Sequence, residues 1–181
     1  MAIRKVAVLG HPVLRKSAEK VPVEQIKTEA FKHFLNDMVE TMREYEGRGL
    51  AAPQIHESLR VTVLIWDFEP KKKPYMLYLI NPVIEPLTTQ ESAYWEGCLS
   101  LPGLRGLVSR PNRIKVSALN EQARQVEFIA EGFAATVVQH ECDHLDGVLY
   151  IDRMRGLKDL AFTQECERYH LPQDGLNYSV E

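Results

Sequence analysis

The sequence contains no run of about 20 apolar residues, the length a membrane-spanning helix requires. Its first ten residues, Met1 to Gly10, hold two basic side chains but an apolar stretch of only four, Val6 to Leu9. A signal-peptide core needs about 7–15 such residues. Cysteine is scarce: Cys98, Cys142 and Cys166 make an odd number without the spacing of a disulfide framework. Without an export signal these are free thiols or metal ligands rather than bridges, and a cytoplasmic protein is expected. Charge of one sign is lacking too. With 22 Lys and Arg against 25 Asp and Glu, the net charge is −3, which argues against a dedicated nucleic-acid binder. The single lysine run, Lys71-Lys72-Lys73, lies between Pro70 and Pro74 and reads as a solvated loop tip. Ten Gly and ten Pro among 181 residues exclude a low-complexity chain.

What remains is the composition of an ordinary globular protein, 45% apolar and 26% charged. The length fits one domain over residues 1–181, large enough to bury a core without staples. The clearest helix spans residues 28–46, where Phe31, Phe34, Leu35, Met38, Val39, Met42 and Tyr45 form one apolar stripe. Thr28 caps its start and Gly47 ends it. Arg60–Trp66, Tyr75–Asn81, Arg113–Leu119 and Gln125–Ala130 read as strands, the last two as a hairpin. A second helix is expected from about Gly132 to Leu145, a short one within Gly156–His170, and loop after Pro172. Strands clustered between helices, rather than alternating with them, predict an α+β fold.

The strongest local signal is Gln139-His140-Glu141-Cys142-Asp143-His144, which contains H-E-x-x-H. On a helix, positions four apart share a face, so both imidazoles reach one metal ion. Glu141 lies about 100° round, close enough to serve a water at that ion without ligating. Roughly 0.02 such matches are expected by chance at this composition, which disfavours two unrelated surface histidines.

A catalytic metal usually takes three protein ligands and keeps a position open. Downstream, the longer protease pattern H-E-x-x-H-x-x-G-x-x-H almost fits: Gly147 is in place, but Tyr150 stands where the third His belongs. Glu165 or Glu167 would serve in another protease class. Upstream, Cys98 in Glu96-Gly97-Cys98-Leu99-Ser100 is a third candidate, although a lone Cys is more often an inert buried thiol. The segment Gly47-Arg48-Gly49-Leu50-Ala51-Ala52-Pro53-Gln54 by itself reads as a tight helix-to-strand connection.

Together these segments resemble the peptide deformylase family, marked in this order by G-x-G-L-A-A-x-Q, E-G-C-L-S and Q-H-E-x-D-H. Here they are Gly47–Gln54, Glu96–Ser100 and Gln139–His144. Gly10-His11-Pro12-Val13-Leu14-Arg15 is similar to the family's opening G-x-P-x-L-R, and the likeness extends to about Asp152. Leu99–Gly103 resembles the bacterial branch, and the tail after about residue 155 is the least family-like part. The resemblance implies antiparallel sheets packed around a central metal-bearing helix. It implies Cys98, His140 and His144 as ligands and Glu141 as general base and acid. It also gives Gln54 and the Leu99 backbone N–H to the oxyanion, and Gly49 to the substrate cleft.

By the same resemblance, the metal is Fe²⁺, which Zn²⁺, Ni²⁺ or Co²⁺ can replace in a thiolate–imidazole set. The reaction is removal of the N-formyl group from methionine at the start of new polypeptides, with formate released. The partners are N-formylmethionyl nascent peptides and, transiently, the ribosome, with no membrane and no dedicated nucleic-acid binding. The rival readings are a zinc endopeptidase and a non-catalytic metal-binding module. Tyr150 argues against the first, and Glu141, useless in a structural site, against the second.

Phe133 and Val137 precede His140 by seven and three positions, near the metal-facing side of the same helix, and are expected to line an apolar methionine pocket. Three residues depart from the family pattern. Arg48 stands where Ile or Val is usual, His56 where a small residue, often Gly, is usual, and Trp95 where many members are acidic. Either the Arg48 stem packs on the cleft rim with its guanidinium in water, or Arg48 contacts the peptide backbone beyond the methionine or a nearby carboxylate.

Overall fold

The computed structural model describes residues 2–69, 72–171 and 179–180. Pro70, Lys71 and residues 172–178 and 181 lie outside them, and with them part of the expected lysine tip and most of the expected terminal loop. After a 3₁₀ turn (Pro12–Arg15) and a short helix α1 (Val23–Ile26) comes the long helix α2 (Glu29–Glu44). The strands β1 (Gly49–Ala51), β2 (Val61–Trp66), β3 (Tyr75–Pro86), β4 (Glu91–Cys98), β5 (Leu101–Pro111), β6 (Arg113–Leu119) and β7 (Gln125–Glu131) follow. Helix α3 (Phe133–Leu145), helix α4 (Tyr150–Arg153), strand β8 (Leu160–Phe162), helix α5 (Thr163–Tyr169) and strand β9 (Ser179–Val180) complete the order.

The fold is α+β with antiparallel sheets, as expected. One sheet has the order β1-β2-β3-β6-β7 and the other β8-β5-β4-β9. Helix α3 packs against β1, β2 and β7 of the first and β5 of the second, which places it between them.

Helix α2 forms where its periodicity predicts. Phe31, Leu35, Met38, Val39 and Met42 are buried against Leu50, Ile55, Val61, Val63 and Ile80, each such side chain contributing about 1.5–3 kcal/mol. Thr28 caps it by accepting from the Phe31 N–H at 3.2 Å. Its end differs from expectation in one detail. Glu46, not glycine, takes the left-handed conformation with φ 55°. Gly47 is needed for another reason: a Cβ there would meet Leu99 Cδ1 at 2.8 Å.

The β4–β5 hairpin, which carries Cys98, was not expected as strands. Its residues mix Gly, Pro, Arg and Glu with apolar ones, and they become strands through pairing that runs from Glu91↔Pro111 to Gly97↔Arg105. Strand β3 also runs past Asn81, where a register irregularity lets it continue to Pro86. The expected short helix in Gly156–His170 is a 3₁₀ turn, strand β8 and helix α5, because Leu160–Phe162 pairs with Leu104–Gly106. In the tail, Ser179 and Val180 pair with Tyr94 and Ala93 rather than forming loop.

Candidate metal centre and cleft

Helix α3 starts at Gly132, whose φ of 58° an L side chain rarely adopts, and it is buried on nearly all sides. It delivers His140 and His144 on one face. Cys98 arrives from the end of β4, where a register shift between Gly97 and Cys98 breaks the ladder, a device that re-aims a side chain. Cys98 Sγ lies 3.3 Å from His144 Nε2. One donor atom each from Cys98, His140 and His144 falls within 4.8 Å of the others. Two ligands of one tetrahedral ion are themselves about 3.5 Å apart, so this donor set fits a thiolate–imidazole metal site. Burial holds His144 well below its usual pKa, in the neutral form that ligates.

Glu141 is buried beside them, and its Oε2 has no hydrogen-bond partner among the described residues. Burial pushes its carboxyl up to about 7. A buried acceptor left unpaired is a group awaiting a ligand or water. Gly49 lets the β1 backbone close on Glu141, since a Cβ there would meet Glu141 Cδ at 2.7 Å. Gln54 is fixed by accepting from the Ala51 N–H at 2.8 Å. Its Nε2 donates to Ser100 Oγ at 3.2 Å and to Cys98 Sγ at 3.5 Å. Leu99 occupies the turn between β4 and β5.

Behind His140 runs a chain of alternating charge that the sequence reading missed. His140 Nδ1 donates to Glu96 Oε2 at 2.7 Å. Arg110 donates to both Glu96 oxygens, at 2.6 and 3.0 Å, and through Nη1 to Asp143 Oδ2 at 2.7 Å. Arg153 holds the same Asp143 with two bonds, at 2.7 and 3.2 Å. Burial works against ionised Glu96, but His140 and Arg110 outweigh it and hold its carboxyl low. Burial likewise opposes charge on His140, and Cys98 and Glu96 beside it raise its pKa well above the usual value. Glu96 and Asp143 were legible as fixed letters of the E-G-C-L-S and Q-H-E-x-D-H patterns. Arg110, an ordinary basic residue in a strand, carried no such signal.

A cleft of about 780 Å³ opens over this centre, lined by Arg48, Gly49, Leu99, Phe133 and Val137 among others. Thus the structure brings together the site residues that helix spacing and the resemblance named: Cys98, His140 and His144 as one donor group, with Gly49, Gln54, Leu99 and Glu141 around it, and Arg48, Phe133 and Val137 on the cleft.

Profile comparison matches the polypeptide deformylase family over residues 3–159. The chain belongs to this family. It is 41% identical over 172 residues to the peptide deformylase of Leptospira biflexa, covering 92% of this chain and 96% of that protein. Among solved structures, the peptide deformylase of Thermotoga maritima matches with TM-score 0.76 at 40% identity, covering 86% of this chain and all of the other. The Met-Ala-Ser-bound class I type b peptide deformylase of Acinetobacter baumannii matches with TM-score 0.79 at 33% identity, over 84% of this chain and 99% of that one.

Set in the deformylase frame, the rejected protease ligands fall elsewhere. The donor group holds neither Glu165 nor Glu167. Tyr150 packs its ring 6.0 Å from that of His140, with its phenol unpaired among the described residues. Cys142, between the histidines in sequence, faces the opposite way into the apolar cluster of Leu64, Trp66 and Val138, where burial pushes its thiol far up. The three departures from the family pattern each have a local setting. His56 is left-handed, with φ 68°, the conformation a glycine adopts freely. Trp95 is buried, with His170 packed 5.0 Å away. Arg48 meets a nearby carboxylate: Nη2 donates to Asp67 Oδ1 at 2.5 Å.

Proposed function

We propose that this protein removes the formyl group from the N-terminal formyl-methionine of newly made polypeptides and releases formate. The observation that carries the reading is the buried, unpaired Glu141 carboxylate beside three converging donor atoms at the floor of an open cleft. Cys98, His140 and His144 would hold one divalent ion, which we read as Fe²⁺, with Zn²⁺, Ni²⁺ or Co²⁺ as substitutes. When bound, such an ion supplies Lewis acidity and lowers the pKa of water in its shell.

Glu141, with its pKa up at about 7, accepts a proton from the attacking water and delivers it to the leaving amine. The Gln54 amide and the Leu99 N–H donate to the oxyanion that forms on the formyl carbon, each such donor contributing about 3–4 kcal/mol in comparable sites. Gly49 and Arg48 flank the peptide, and Phe133 and Val137 take the methionine side chain. The Met-Ala-Ser peptide bound to the Acinetobacter baumannii relative supports a peptide substrate. No helix among the described residues is long and apolar enough to cross a membrane. We read the protein as working on nascent chains in the cytoplasm, in transient contact with the ribosome.

The test is formate release from formyl-Met-Ala-Ser by protein reconstituted with iron under anaerobic conditions. Turnover that a chelator abolishes and iron restores supports the reading. A fully metal-loaded protein that releases no formate refutes it.

A further inference from the structure

Arg48 is held at three points. Its carbonyl accepts from the Ile65 N–H at 2.9 Å, which anchors the backbone to β2. Its Nη2 donates to Asp67 Oδ1, just past the end of β2. Its guanidinium carbon lies 5.5 Å from the centre of the Phe68 ring. Phe68 in turn meets Phe133 at 6.1 Å and 74°, and Phe133 tilts against Tyr94 at 5.3 Å. The Arg48 side chain is nevertheless 50% exposed and lines the cleft.

A guanidinium is a flat cation with two faces and an edge of donors. Here the guanidinium carbon lies over the Phe68 ring, and Asp67 takes part of the edge. Among the described residues no second ring lies over Arg48. What Phe68 and Asp67 leave uncovered of this half-exposed side chain is therefore a preorganised surface on the wall of the cleft. The Asp67 carboxylate offsets part of its charge, so an acidic peptide side chain gains little there, while a ring can still stack on the flat guanidinium and draw on the charge that remains.

We propose that the open face of Arg48 is a subsite for an aromatic side chain of the substrate, borne by one of the two residues that follow the methionine. The ring would complete a sandwich with the guanidinium and Phe68. This inference rests on the deformylase reading of the cleft and adds a preference for aromatic residues to it.

The experiment compares an aromatic ring with a saturated ring of the same shape. The metal-loaded protein is assayed for kcat/KM on formyl-Met-Ala-Ser, on formyl-Met-Phe-Ser and formyl-Met-Ala-Phe, and on the last two with cyclohexylalanine in place of Phe. At one of the two positions Phe should exceed cyclohexylalanine by about three- to tenfold, the range expected of a partly exposed cation–π contact. Arg48→Ile should bring that ratio close to one, and Asp67→Asn, which frees the guanidinium to swing, should reduce it. Calorimetric binding of the corresponding unformylated peptides should give the same order without turnover. Equal rates for Phe and cyclohexylalanine at both positions in the unmodified protein overturn the subsite, as does a ratio that survives Arg48→Ile. If formyl-Met-Ala-Ser is not turned over but the binding ratio appears, the deformylase reading fails and the subsite stands. Should Arg48→Ile not fold, the ratio in the unmodified protein and its response to Asp67→Asn still decide.

Discussion

Glu96 Oε2 accepts a 2.7 Å hydrogen bond from His140 Nδ1, with the two side chains only 3% and 9% exposed. The bond orients the ring and keeps a proton on Nδ1, so that Nε2 is the atom that would meet a metal. Glu96 stays ionised in so dry a place because Arg110 grips both its oxygens, and Arg110 is itself balanced by Asp143. His140 is thus oriented by a network that reaches Arg153, half exposed at the surface.

Breaking this network should separate stability from metal affinity. Arg110→Met removes the cation shared by two carboxylates, leaving Glu96 with His140 alone and Asp143 with Arg153 alone, and should destabilise the protein by about 3–5 kcal/mol, read by urea unfolding. Glu96→Gln should fold but hold metal about 10–100-fold more weakly, read by competition with a chelator. Metal affinity unchanged in Glu96→Gln would deny Glu96 its orienting part.

Glu141→Gln keeps the shape of the side chain and removes its basicity. It should retain metal and lose about 10²–10⁴-fold in kcat. Gly49→Ala should imitate it in part, because the new methyl would sit 2.7–2.8 Å from Glu141 Cδ and Cγ and displace the carboxylate. Full turnover by metal-loaded Glu141→Gln would remove this residue from the mechanism.

The two cysteines nearest the site should behave oppositely. Cys98→Ala removes one donor of the three and should lower metal content sharply, whereas Cys142→Ala, in the apolar cluster, should leave it unchanged. Metal analysis of the purified variants decides. The reverse pattern would show that the ligand set is wrong.

Acid stability should depend on Asp37, far from the chemistry. Burial raises its pKa, but the Ala2 N–H and Arg4 outweigh burial and hold it below the usual value. A carboxyl lowered by folding contributes stability above its unfolded pKa of about 3.9 and loses it as pH falls through the folded value. Asp37→Asn should therefore be less stable at neutral pH and flatten the stability profile below about pH 4. Parallel profiles for the two proteins would place the acid transition elsewhere.

Elements whose signal is local are legible in the chain alone. Helix α2 declares itself through its stripe and Thr28, and the β6–β7 hairpin through its β-branched runs and turn. The H-E-x-x-H spacing makes His140 and His144 converge because helix geometry alone relates positions four apart. Whatever depends on partners distant in the chain is set by folding. Strands β4 and β5 exist through pairing with each other, so Cys98 has no reason in its own neighbourhood to meet His144, 46 positions on. Arg110 is one basic residue among many until folding buries it between Glu96 and Asp143. Arg48 is a substitution in a glycine turn until β2 brings Asp67 and Phe68 beside it. Periodicity encodes which face of an element is apolar, whereas the pairing of buried charges is set by which faces the fold finally presses together.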